Sequence, residues 1–109
     1  MKIIKVNKQE PYYSFCVQGK KVIEGRLNKD KFALAQIGDA IEANDSAIFE
    51  IIDKKIYTTF KDMIIAEGIE SVVPDKKSIE EAVAVYYQFY TPEQEKEFGV
   101  VALKIKKLN

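Results

Sequence analysis

The sequence predicts an α+β fold: a small mixed β-barrel with helices packed outside it or over one mouth. Three observations lead there. Polar and apolar residues alternate at both ends, over residues 2–6 and 101–106, as in half-buried strands. Asn44-Asp45 separates two apolar runs in the manner of a hairpin turn. Between residues 59 and 98 lie three hydroxyl-led helix starts. Strands at the two ends are free to pair, which would close the sheet and bring the termini together. With 109 residues, the chain 1–109 is read as one domain.

The elements follow in order. Residues 2–6 predict a strand with Ile3 or Ile4 inward. Residues 10–18 predict a short helix, with Pro11 in its first turn and Gly19 as a left-handed stop. Tyr12, Phe15 and Cys16 share one face of it. Residues 21–27 are extended, with Ile23 and Leu27 on one side and Glu24 and Arg26 on the other. Residues 28–36 read as a loop with one helical turn. Ala40–Ala43 and 46–57 form the two arms of the hairpin, the second long enough to need a bulge near 53–55. Thr59, Ser78 and Thr91 each precede Asp62, Glu81 and Gln94 by three residues. The last two match a capping box, and Asp62 is a shorter substitute. The predicted helices are Phe60–Glu67, 79–90 and Pro92–Phe98, the first and third stopped by Gly68 and Gly99.

Composition excludes several chemistries. There is no histidine and one cysteine, Cys16. No serine–histidine triad, histidine-ligated metal or disulfide framework is available within one chain. No glycine-rich phosphate loop, metal cluster or cofactor motif is present. No stretch resembles a secretory signal or a membrane span, so the expected setting is cytoplasmic with no membrane contact. Formal net charge is zero, with 17 basic and 17 acidic residues. That balance conceals an asymmetry. Residues 1–32 hold eight basic residues against three acidic ones, Lys104, Lys106 and Lys107 add three more positive charges, and the stretch between carries the opposing negative excess. Such a distribution points to a local anion site and away from a broad adhesive surface.

The chemistry-bearing stretch is Gly19-Lys20-Lys21-Val22-Ile23-Glu24-Gly25-Arg26. Gly19 lets the chain turn sharply from helix to strand. Glu24 and Arg26, two apart, project from one face. Arg26 offers paired donors for a phosphate or a base edge. Glu24 accepts from an amino or imino group. Lys21 neutralises an anion, or serves as a base where burial lowers its pKa. The same spacing also describes an ordinary Glu–Arg pair on an exposed strand. Tyr86, Tyr87 and Tyr90 are candidates for stacking a base, and equally for core and rim.

The pattern Gly19-x-Lys21-x-x-Glu24-x-Arg26 after a short helix resembles the signature of the ASCH domain family. Ile37-Gly38-Asp39, Tyr57-Thr58-Thr59-Phe60, Ala66-Glu67-Gly68-Ile69, Ser78-Ile79-Glu80-Glu81-Ala82, Gln88-Phe89-Tyr90 and Phe98-Gly99-Val100-Val101-Ala102 are similar to further family stretches, so the resemblance to small stand-alone members covers nearly the whole chain. It implies a PUA-like barrel with a cleft holding Lys21, Glu24 and Arg26, and RNA or a nucleoside or nucleotide as ligand. One branch of the family hydrolyses the amide of N4-acetylcytidine with a lysine, a threonine and a distant acid. Lys21 matches the lysine, Glu24 stands where the threonine would be, and the acid would be Glu67 or Asp75. Three functions follow as expectations. They are RNA or nucleotide binding through Lys21, Glu24 and Arg26; an amidohydrolase of N4-acylated cytidine-type nucleosides with Lys21 and Glu24 catalytic; and a protein-interaction module using Tyr86 and Tyr87.

Overall fold

The computed structural model describes residues 1–109. Its single sheet places β1 (Ile3–Val6), β3 (Ala40–Ala43), β4 (Ala47–Tyr57), β5 (Val100–Lys107) and β2 (Ile23–Leu27) side by side in that order. β1 runs parallel to β3, and the other neighbours are antiparallel. The expected mixed barrel is present as a curled half-barrel. Its closure differs from expectation, because the end strands β1 and β5 do not pair. β1 takes the free edge of β3, and β5 is buried between β4 and β2. No strand ladder joins the two edges β1 and β2. A side chain just beyond β1, Lys8, bridges to Glu24 on β2 instead.

The hairpin turn forms because Asn44 and Asp45 both accept φ of +54°, which lets Ser46 N–H reach Ala43 O at 3.0 Å and the three residues 44–46 connect Ala43 to its partner Ala47. The bulge in β4 falls between Ile51 and Asp53, slightly before the expected position. In β1, Ile4 and Val6 point inward and Ile3 outward.

β5 divides the core by its period of two. Val101, Leu103 and Ile105 face the barrel interior with Ile4, Ile41, Phe49, Ile51 and Cys16. Val100 and Ala102 face the helices with Ile23, Leu27, Phe60, Met63 and Tyr86. The two cores thus share one strand, and a change in β5 reaches both.

The helices are α1 (Tyr12–Val17), α2 (Asp30–Leu34), α3 (Phe60–Glu67), α4 (Ile69–Val72), α5 (Ile79–Tyr86) and α6 (Pro92–Phe98). All three predicted hydroxyl caps accept from the expected backbone amide. Only Thr91–Gln94 completes the reciprocal capping box. The Glu81 carboxylate accepts from Lys77 N–H and the Ser78 hydroxyl rather than from the Ser78 amide. α5 stops at Tyr86, four residues before the predicted end. Its last turn tightens, with Gln88 N–H bonding Val85 O and Phe89 N–H bonding Tyr86 O. That tightening lets Tyr86 and Tyr90 both lie nearly parallel to Phe60. α4, only four residues long, lies below the length at which periodicity registers. No helix is long and apolar enough to cross a membrane.

Candidate functional site

Lys21 is delivered by the end of α1. Gly19, at φ +79°, reverses the chain, and the amides of Lys20 and Lys21 both donate to Phe15 O. Val22 N–H then bonds Ser71 O, which draws α4 against the start of β2. The Lys21 ammonium ends 4% exposed, donating to Ile23 O and Val72 O, each at 2.6 Å. Burial, and then the nearby charge of Lys8, lower its pKa to about 8.

Glu24 and Arg26 share a face of β2, as their spacing requires. In the β2–β5 register they stand opposite Leu103 and Val101, so that face is the barrel's inner one. Glu24 is therefore no exposed partner in a surface pair: it is 3% exposed. Arg26 grips one of its oxygens with Nε at 2.8 Å and Nη2 at 2.6 Å. Lys8 Nζ takes the other oxygen, with a side-chain exposure of 5%. Burial alone would raise the Glu24 carboxyl, but Lys8, Arg26 and Lys21 together hold it far below the usual carboxylate range. Burial would also lower Arg26, and Glu24 reverses this. The Arg26 guanidinium lies 4.8 Å from the centre of the Phe32 ring, which fixes its plane.

Lys8 is the member that sequence reasoning missed. Its backbone is set by the hairpin turn, where Asn44 accepts from Lys8 N–H at 2.7 Å and its amide donates to Lys8 O at 3.2 Å. No local pattern in Val6-Asn7-Lys8-Gln9 signals that role. The contact exists only once β1, the hairpin and β2 are assembled.

Lys8, Lys21, Glu24 and Arg26 line one cleft of about 170 Å³, together with Asn7, Gln9, Tyr12, Gly25, Val73, Val85, Tyr86, Phe89 and Tyr90. The structure thus brings together all three sequence-predicted site residues. The volume lies below the ~300 Å³ at which pockets for drug-sized ligands begin, so it suits a small polar ligand or one part of a larger one. A second cavity, about 290 Å³, also touches Lys21 and is otherwise lined by Cys16, Gly19, Val22, Phe49, Ile52, Ile105 and the exposed lysines Lys104, Lys106 and Lys107, with no carboxylate or hydroxyl. Chemistry selects the first.

Neither distant acid lines the cleft. Glu67 lies outside it and accepts a hydrogen bond from the Tyr57 hydroxyl. Asp75 pairs with Lys76 at 3.4 Å and lies beside Tyr12, whose hydroxyl is pushed up to about 12 by burial and then by Asp75. Tyr87 is also outside, donating to Glu95 at 2.6 Å. The rings of Tyr86 and Tyr90 stack on Phe60 at centroid distances of 4.4 and 5.4 Å. Tyr86 is buried, so its ring serves the core and does not form an open stacking platform. Cys16 is a core residue whose thiol is raised by burial.

A family model described as ASCH domain matches residues 6–109. Among solved structures, the crystal structure of hypothetical protein PH0355 is 42% identical with a TM-score of 0.94, covering 99% of this chain and 100% of that one. The solution NMR structure of protein PF0455 from Pyrococcus furiosus is 36% identical with a TM-score of 0.85, covering 98% of each chain. No curated protein matches.

Proposed function

The chain belongs to the ASCH domain family, and on that premise we propose that it binds RNA or a free nucleotide in the cleft of Lys21, Glu24 and Arg26. The observation that carries this reading is a buried cluster with more cation than anion. Lys8, Lys21 and Arg26 surround one carboxylate, Glu24, and no second carboxylate lines the cleft. An anionic ligand completes that balance, and the aromatic side chains Tyr12, Phe89 and Tyr90 give its planar part an apolar wall. Arg26 and Lys21 meet the anion. Glu24, already gripped by Lys8 and Arg26, holds Arg26 in place more than it contacts a base edge.

Calorimetric titration with short RNAs and mononucleotides, comparing wild type with Arg26→Ala, tests the proposal. The expected outcome is affinity weakened about 10- to 100-fold, the scale of a hydrogen bond to a charged group, in a variant that still folds because Lys8 keeps Glu24 paired. Binding by neither protein, or equal binding by both, sinks it.

One observation favours the amidohydrolase reading as a second. An amine with a pKa of about 8 is partly neutral near pH 7, and Lys21 is such an amine. Against it, Glu24 is too acidic to accept a proton efficiently, since Lys8 and Arg26 stabilise its charged form. Incubation with N4-acetylcytidine, read by mass, decides: no deacetylation, or equal deacetylation by Lys21→Ala, removes it.

A further inference from the structure

Tyr86 is 7% exposed. Its ring lies on Phe60, and a Cβ added at Gly25 would come within 3.0 Å of its hydroxyl oxygen. The hydroxyl itself bonds no protein group. It is not sealed away either, because no fully enclosed side-chain polar atom in the chain lacks a partner; the space it opens onto is the cleft. The other buried polar groups there are engaged: Lys8 and Arg26 with Glu24, and Lys21 with two carbonyls. A lysine ammonium has three N–H donors, so Lys21 keeps one in reserve. What the cleft floor has to spare is therefore one ammonium N–H and, beside it, a phenol O–H.

We infer that Tyr86 reads the ligand: its hydroxyl donates to an acceptor oxygen of the bound nucleotide, next to the uncommitted N–H of Lys21. The inference rests on the binding function proposed above and adds which chemistry is recognised. The group is an oxygen acceptor, from a phosphate or from a base carbonyl. An exocyclic amino group at this place would face the Lys21 ammonium and find its acceptor only in the phenol oxygen. Burial, and then the charge of Glu24, raise the Tyr86 pKa and keep the phenol a donor throughout the neutral range.

The test is calorimetric titration of wild type and Tyr86→Phe with uridine monophosphate, uridine and inorganic phosphate, with thermal melts of both proteins. The expected result is an affinity loss of about 10-fold in Tyr86→Phe at an unchanged melting temperature, because the deleted oxygen bonds nothing in the protein. A loss shared by uridine and its monophosphate assigns the contact to the base oxygen. A loss confined to the monophosphate and phosphate assigns it to the phosphate. Equal affinity in the two proteins for every probe bound by wild type overturns the role of Tyr86 alone and leaves nucleotide binding standing. A loss accompanied by a lowered melting temperature also overturns it, since the hydroxyl would then be structural. If wild type binds none of the three, the nucleotide reading falls and this inference with it.

Discussion

Glu24 and Glu95 are the two most deeply buried carboxylates, at 3% and 6% exposure, and they are satisfied in opposite ways. Glu95, on α6, accepts from Phe60 N–H at 2.8 Å and from the Tyr87 hydroxyl at 2.6 Å. Its partners are neutral, both its oxygens are used, and it ties α6 to the start of α3 and the end of α5. Glu24 is held by two cations, with a third, Lys21, nearby. The helical site is closed on itself. The barrel site is left with surplus positive charge and spare donors facing a cleft. A buried carboxylate thus acts as a tie when neutral groups exhaust it, and becomes a candidate for ligand binding when the charges around it fail to balance.

The largest effect that sharpens this contrast is expected at Glu24. Glu24→Gln keeps the shape and removes the charge, so Lys8 and Arg26 lose their counterion inside the protein. Breaking one side of a buried pair costs about 3–5 kcal/mol, readable by denaturant titration. The acid limb changes as well. The folded carboxyl is lowered from its ordinary 4.5, so its contribution is present in full above pH about 4.5 and is lost as pH falls toward the folded value. Glu24→Gln is expected to flatten stability below that point. An unchanged acid limb would show that Glu24 is not held charged by its neighbours.

Next in size is the pH dependence due to Lys21. Its folded pKa of about 8 lies below the ordinary 10.5, so between those values the unfolded chain binds more protons and stability rises with pH. A shift of that size corresponds to about 3 kcal/mol over the whole window, at ~1.4 kcal/mol per pH unit. Cys16 and the tyrosines with raised values oppose the rise above about pH 9 and 10. The tyrosines are common to wild type and Lys21→Met, and Cys16, which Lys21 itself influences, titrates only above about pH 9, so the difference between the two proteins below that pH isolates the lysine. A difference independent of pH from 7 to 9 would mean that Lys21 is not appreciably desolvated.

Gly25 connects the barrel site to the helical core. A Cβ there would lie 2.6 Å from Met63 Cε and 2.7 Å from its Sδ, as well as 3.0 Å from the Tyr86 hydroxyl oxygen. Gly25→Ala is expected to cost about 1–3 kcal/mol, the scale of overpacking, and to displace the hydroxyl from the cleft. A melt unchanged from wild type would show that Met63 yields freely.

How much of this was legible depended on the range of each contact. The shared face of Glu24 and Arg26 follows from a two-residue spacing, and the delivery of Lys21 from the glycine cap at Gly19. Both are local and were readable. Burial of Glu24 was not, because an alternating strand does not reveal which of its faces is enclosed when that face carries charge. Lys8 joins Glu24 across the open edge of the sheet, through a turn at Asn44 that no local pattern links to it. The pairing of the end strands is not local either: alternation identifies β1 and β5 but does not say which neighbour each takes. The sequence predicts a longer α5 because apolar spacing continues through Tyr90, while the i→i+3 bonds after Val85 tighten the last turn and align Tyr90 with Phe60.

The smallest expected effect bears on the other carboxylate, and its smallness is the point. In Glu95→Gln the amide oxygen still accepts from Phe60 N–H. The amide nitrogen donates to Tyr87, whose hydroxyl can turn to accept, since a phenol serves as either partner. The 2.8 Å contact therefore survives unchanged in direction and the 2.6 Å contact survives reversed. The loss is limited to the added strength of a charged acceptor, about 1 kcal/mol, measured by the same denaturant titration as Glu24→Gln. The two isosteric substitutions then differ by a few kcal/mol, although the carboxylates are almost equally buried. Equal losses would mean that burial depth governs the cost of removing either charge, and that the surplus cations around Glu24 carry no special significance for a ligand.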